Sequence, residues 1–389
     1  MQQQLDSALE TFAAFLQSEH PAANRPANGY GADNIVAYLR GTPLPFISCY
    51  FDELGATGCF DYSFKFLHLL GRHNLALSVG LCMNQYIAFS IACLPTVPGS
   101  TIHALKTQFL GMVKANRWIL AVSSFDDFLR NKNDAGHQVK CVTQPNGAVL
   151  CNGVKNFQSN ISRADVLLFS GILDSKNTGL FYTPLKNVAG ITFGDPVFAG
   201  AMADADTRSV TFDNLLLCPA QVIPADADAE TQAFHGFTRV VFAAMAMAPY
   251  LGGAKRALKE ASAFLRSVHT DGQPLSALDG YVVDMGRANI DYDNCYHLVN
   301  RFSWSLGTLH QDSLHSWLDH ERNGTAALKH HVTRVCEDLV DLSRRVIGTR
   351  SMMPSNIISL LSQQILFGAL HPEVNAKIER EFGRRALSE

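Results

Sequence analysis

The chain has no long run of one charge and none of the common metal-binding or phosphate-binding motifs. Its 389 residues carry a formal charge of -3 with no clustered Lys or Arg, which argues against a nucleic-acid surface, because neutralising phosphates needs basic side chains in groups. The nine cysteines include no Cys-x-x-Cys pair. Their number is odd, and Cys82, Cys93 and Cys218 lie in apolar runs, a pattern of reduced, buried thiols expected of a cytoplasmic protein. His310, His315 and His320 are five apart, which turns successive rings off one helix face, and His330-His331 fails the same test, so no metal site is expected. Phosphate loop, dinucleotide glycine fingerprint and nucleophile elbow are missing, and Gly29-Tyr30-Gly31 has no strand before it. Residues 1–6 lack the basic start and apolar centre of a secretory signal. Internal repeats and low-complexity tracts are also absent. What is present is an ordinary globular composition, 47% hydrophobic, sufficient for a large core in two or three domains. A small-molecule, acyl or cofactor ligand is expected, with no membrane partner.

One stretch, residues 75–97, carries no charge and is long enough to resemble a membrane span. Asn84 and Gln85 at its middle and Pro95 near its end point instead to a core helix buried on most sides.

Three regimes follow one another. Residues 1–118 read as helices, with pieces at 61–72, 75–91 and 101–116 and an exposed loop at 19–34 marked by Pro21, Pro26, Gly29 and Gly31. Residues 119–234 change period: short apolar runs at 138–142, 148–151, 166–172, 179–183 and 209–212 are separated by the turn signals Pro145-Asn146-Gly147 and Asn152-Gly153, which indicates an antiparallel β domain. From 235 to 389 the pattern is helical again. Val332, Val335, Leu339, Leu342 and Val346 recur at steps of three and four, one apolar stripe suited to a bundle. Pro249 should kink the helix that begins near Thr238.

Within the β region, Asn152-Gly153-Val154-Lys155-Asn156-Phe157-Gln158-Ser159 reads as a hairpin whose far strand carries an aromatic and a hydroxyl two residues apart, hence on one face. That pairing suits a flat heteroaromatic ligand. A core aromatic beside a satisfied hydroxyl has the same pattern.

Helices, β domain and bundle in this order, with Asn-Gly-x-Lys leading to Phe-x-Ser and then Ala164-Asp165, resemble the acyl-CoA dehydrogenase superfamily over nearly the whole chain. The resemblance implies an α+β fold with an amino-terminal helical domain, a central antiparallel β domain and a carboxyl-terminal four-helix bundle. It also implies a flavin, FAD or alternatively FMN, and assembly as a homodimer or homotetramer. It assigns flavin contacts to Phe157 and Ser159, to Val122 and Ser123 where the family opens its β domain with Thr-Glu-Pro, and to Gly348, the one glycine kept from a glycine-rich turn. Arg239, in a Thr-Arg pair that opens the first bundle helix, takes the place of an Arg by the thioester cleft.

Departures are equally visible. The Arg that reaches a neighbouring subunit's pyrophosphate is absent from residues 267–275. No Glu stands at the usual α-proton base positions: one holds Thr238, and the count from Gln363 for the other falls on Pro372, between His371 and Glu373. A one-residue shift makes Glu373 the base, and α,β-dehydrogenation of an acyl thioester on CoA or a carrier protein the leading expectation. Leu370-His371-Pro372-Glu373 also resembles the Leu-His-Asp-Pro run of relatives that use reduced flavin and oxygen, where a neutral His hydrogen-bonds and moves protons. A third expectation is a catalytically silent flavin-binding or assembly partner.

Overall fold

The computed structural model describes residues 1–19, 31–123, 139–174, 177–223 and 229–388. Six helices come first: α1 (Gln2–Glu19), α2 (Ala32–Arg40), α3 (Phe51–Gly71), α4 (Leu75–Cys93), α5 (Thr101–Ala104) and α6 (Leu110–Asn116). Most of the loop expected at 19–34 lies outside the described residues, and its last three residues already belong to α2. Asn74 starts α4 by accepting the Leu77 N–H at 2.9 Å, the usual work of an N-cap amide. Every residue of α4 except Met83 is buried, so this apolar helix is a core element. Its two amides connect it to its neighbours. Asn84 donates to the Pro45 carbonyl and accepts the Leu120 N–H, while Gln85 donates to the Leu44 carbonyl and accepts the Ser63 hydroxyl, all at 2.7 to 3.0 Å. Burying two amides in an apolar helix is tolerable because their bonds are made.

Strands β1 (Leu120–Ser123), β2 (Lys140–Thr143), β3 (Val149–Gln158), β4 (Val166–Leu173), β5 (Asn177–Pro184), β6 (Ile191–Pro196), β7 (Arg208–Leu217) and β8 (Val222–Ile223) form one sheet. Its order is β6-β7-β3-β2-β4-β5-β8, with β1 also on β4. Pro145-Asn146-Gly147 does reverse the chain, and β2 and β3 pair antiparallel. The turn expected at Asn152-Gly153 is not there. β3 runs through it, and the register against β7 shifts between Cys151 and Gly153, with Gly153 at φ 138 and Asn214 at φ 52. A bulge and a tight turn both call for a residue that tolerates positive φ, so the same dipeptide serves either. The sheet is mixed, not antiparallel throughout, because β1 and β2 follow one another along a single edge of β4 and both run parallel to it. Val166 and Leu168 on one face of β4 join the helical core, whereas Leu167 and Phe169 on the other join a separate sheet core. There Phe169 stacks on Phe212 at 4.6 Å.

The remaining elements are α7 (Ala229–Met245), α8 (Met247–Ser267), a small hairpin of β9 (His269–Thr270) and β10 (Gln273–Pro274), α9 (Asp279–Leu306), α10 (Leu314–Ile347), α11 (Ile357–Gln364), α12 (Phe367–Leu370) and α13 (Asn375–Ala386). Pro249 offers no N–H to Met245, and the helix breaks at Ala246 as expected, although it begins at Ala229 and not near Thr238, so that Thr238-Arg239 lies inside α7. Helices α3 and α8 cross backbone to backbone. A Cβ at Gly252 would lie 2.4 Å from the His68 carbonyl oxygen, and one at Gly71 would lie 2.5 Å from that of Pro249, so only glycine fits either position. On α10 the buried line runs through Lys329, Val332, Cys336, Leu339, Ser343 and Ile347. Val335, Leu342 and Val346 of the expected stripe are only half-buried. The buried face is thus rotated, and it includes a lysine.

Candidate functional site

On the sheet side, Phe157 and Ser159 do not alternate on one pleated face. The register slips again between Lys155 and Gln158, Phe157 takes a left-handed φ of 61, and Ser159 lies just beyond the strand end. A bulge re-aims the side chain it carries. The Phe157 ring is 57% exposed and stacks on Phe198 at 6.1 Å, and Phe198 meets Phe367 of α12 edge-on at 5.1 Å. The Ser159 hydroxyl shares a 2.9 Å bond with that of Thr207. Val122 and Ser123 are buried on β1. Among the described residues, buried Ser123 Oγ has no hydrogen-bond partner, nor does Tyr250 Oη or either amide atom of Asn160.

On the helical side, Phe367 leads through α12 into His371, Pro372 and Glu373. The His371 ring stacks on Phe242 at 6.0 Å and meets Tyr250 edge-on at 5.6 Å. Burial, with the Lys329 cation adding to it, pushes its pKa down to about 3, so the imidazole is neutral across the physiological range. It borders a narrow enclosed space with Val79, Cys82, Met83, Ala246 and Pro249. Glu373 is differently placed. Its carboxylate accepts from Lys377 at 2.7 Å and faces Arg239 at 3.7 Å. Burial pushes that carboxyl up, but Lys377, Arg239 and Arg322 more than offset it and hold its pKa below the ordinary value. Gln364 ties this segment to the other side, donating to the Ala201 carbonyl at 2.7 Å.

Arg239, His371 and Glu373, proposed from sequence alone, therefore gather around one turn, and the aromatic series Phe157, Phe198, Phe367 reaches that turn from the sheet. Gly348 is elsewhere. It follows α10 at φ 66, nineteen residues and roughly 28 Å along the helix from Lys329. Sequence reasoning missed Phe198 and Phe367, whose pairing is non-local. It also missed Lys329, which makes three hydrogen bonds to the turn: to the carbonyls of His371 and Glu373 at 3.2 and 2.9 Å and to Asn375 Oδ1 at 2.9 Å. The available signal was a charged residue three before Val332 and seven before Cys336, on the buried side of the helix.

This arrangement of helices, sheet and bundle is the acyl-CoA dehydrogenase fold. Butyryl-CoA dehydrogenase from Megasphaera elsdenii shares it with a TM-score of 0.79 over 98% of each chain, at 14% identity. Dibenzothiophene monooxygenase TdsC from Paenibacillus sp. A11-2 does so at 0.77 and 18% identity, over 99% of this chain and 97% of its own; TdsC has also been solved with FMN and with FMN and indole. KijD3 in complex with dTDP superimposes at 0.78 and 14% identity, over 99% and 96%. Residues 232–369 match the family described as acyl-CoA dehydrogenase, C-terminal domain, so the carboxyl-terminal third of the chain is similar to that domain by sequence as well as by fold. Among curated proteins none matches it by sequence.

Proposed function

We propose that the chain is a flavin-dependent oxidoreductase of the kind that uses reduced flavin and oxygen, with the flavin between the sheet and the His371 turn. The observation that carries this reading is the contrast between Glu373 and His371. A carboxylate paired with Lys377 and Arg239 and held below its ordinary pKa is a poor base for an α-proton, since a general base works best with a pKa near the operating pH. A neutral imidazole in an enclosed aromatic setting keeps one N–H donor and one acceptor nitrogen. It can orient a substrate heteroatom or oxygen through those two hydrogen-bonding nitrogens.

The residues on the sheet side fit a flavin. Phe157 presents an open aromatic face, and the buried Ser123 hydroxyl has no partner among the described residues, one that a heteroaromatic ligand would supply. Bound flavin would supply the two-electron chemistry. The chain itself supplies a wall from Phe157, hydrogen bonding from Ser123 and His371, and exclusion of water by Phe198, Phe242 and Tyr250. FMN, present in TdsC and KijD3, is the favoured form, with FAD the alternative. Homo-oligomeric assembly belongs to the same reading: α9 exposes Val282, Ile290 and Trp304, the last by 76%. A strictly monomeric protein that holds flavin would count against it.

The test uses the full chain with FMN or FAD added. Acyl-CoA thioesters should leave the flavin oxidised under anaerobic conditions, and reduced FMN with oxygen should convert an indole-type aromatic. His371→Ala should lower that conversion at least tenfold and Glu373→Gln less than threefold. Thioester-driven flavin reduction that disappears in Glu373→Gln would overturn the reading in favour of dehydrogenation, and failure to bind either flavin would leave the silent partner.

A further inference from the structure

We propose that Lys329 is a positioning residue that fixes the His371–Asn375 turn and so sets where the His371 imidazole stands. The inference rests on the functional reading only for what the imidazole does, not for how it is held.

Lys329 is 2% exposed and sits in the middle of α10, forty or more residues before the groups it binds. Two of its three acceptors, the carbonyls of His371 and Glu373, bracket Pro372, and the third is the Asn375 carboxamide at the start of α13. The carboxamide is fixed in turn, because Asn375 Nδ2 donates to the Thr333 hydroxyl at 2.9 Å and that hydroxyl donates to the Lys329 carbonyl, also at 2.9 Å. A closed ring of bonds thus joins one turn of α10 to the turn that carries the imidazole. An ammonium has three N–H donors, and here three acceptors face it. A neutral amine has two, and its lone pair would point at an acceptor.

The charged and titratable groups around the clamp are Glu337 on α10, Glu373, His371 and Lys377 on the turn and α13, and Arg239 on α7. Burial lowers the Lys329 pKa to about 8, against the opposing pull of Glu373 and Glu337. One of the three bonds should therefore weaken just above neutral pH. A merely space-filling lysine would show no such dependence.

Amide hydrogen exchange of the full chain, with no flavin added, tests the clamp independently of any activity. In Lys329→Met, exchange across residues 371–375 should be at least tenfold faster at pH 7 while the α8 peptides stay unchanged, and the His371 ring resonances should move. Asn375→Ala, which removes one acceptor, should give a smaller increase of roughly threefold, and it carries the test if Lys329→Met does not fold. In the unmodified protein, exchange of this segment relative to α8 should rise between pH 7 and 9, and Lys329→Met should abolish that rise. Equal segment exchange in the unmodified protein and Asn375→Ala, or no relative rise with pH, would overturn the clamp. Faster exchange with no change in flavin-dependent turnover would support the clamp and count against the functional role of His371.

Discussion

The two sides of the candidate site are held in opposite ways. On the sheet side Phe157 stands out from a bulge, and among the described residues Ser123 keeps a buried hydroxyl without a partner. By contrast, the turn on the helical side is fixed by bonds, with Lys329 on three acceptors, Glu373 between two cations and the His371 ring packed between two aromatics. An unpartnered buried hydroxyl costs free energy in the folded chain. Groups left short of partners are where a ligand gains most, while groups already bonded are where geometry is set beforehand. The site thus reads as a receptive wall facing a preformed turn.

The largest effect expected from this contrast is acid destabilisation from the helical side. His68, hydrogen-bonded to Tyr292 at 2.6 Å, and His371 are both pushed by burial to about 3 from the ordinary 6.5. Between those values the unfolded chain takes up protons that the fold refuses. Stability is therefore complete above pH 6.5 and lost as pH falls, with a slope approaching about 1.4 kcal/mol per pH unit for each imidazole. Urea unfolding at pH 7, 6 and 5 measures this. His371→Gln should reduce the slope by one proton, and an unchanged slope would show that the ring accepts its proton inside the fold.

Next in size is the split between ligand and fold. Phe157→Asp should weaken FMN binding tenfold or more, by fluorescence titration, and leave the thermal midpoint within a degree or two, since the ring is mostly exposed and Asp tolerates positive φ. Phe242→Ala on the other side should instead cost about 2–4 kcal/mol of stability through the space it leaves beside His371. Equal loss of stability in both would erase the distinction. Smaller still, Ser123→Ala should leave the unliganded chain as stable as before, or more stable by up to about 1 kcal/mol, because it removes a polar group that has no partner; calorimetry without flavin would show it. The smallest effect belongs to Glu373→Gln. A carboxyl with a depressed pKa adds stability above its ordinary value of 4.5, and that contribution is lost as pH falls through the folded value. The variant should cost no more than about 1 kcal/mol at pH 7, and the cost should shrink as pH falls below 4.5.

Much of the architecture was legible because it rests on period and on local chemistry. Asn84 and Gln85 identified α4 as a core helix, Pro249 marked the break before α8, and Pro145-Asn146-Gly147 marked a real hairpin. Asn152-Gly153 misled because tolerance of positive φ is common to turns and bulges, and one strand read alone does not tell them apart. The left-handed Phe157 lay outside an alternation rule that assumes an unbroken pleat. On the helical side, His371, Glu373 and Arg239 could be found from sequence, and Lys377 stands only four residues beyond Glu373, but the pairing of Glu373 with Arg239 could not, since Arg239 approaches from a helix more than a hundred residues away. Lys329 stayed hidden for a related reason. A lysine in an apolar stripe looks like a surface residue until its acceptors arrive from another part of the chain.

The helical core draws on both ends of the sequence. Phe60 of α3 packs against Phe302 of α9 at 5.0 Å, and Phe89 of α4 against Phe237 of α7 at 6.3 Å, with the whole sheet region between them in the chain. During synthesis the first helices therefore leave the ribosome well before the residues that cover them. An amino-terminal piece ending before β1 would carry Phe60, Phe64 and Phe89 without their partners and should aggregate rather than fold. The β region has a core of its own but interrupts, along the chain, the two halves of the helical core, so truncations made at its borders should fail even where they cut through loops.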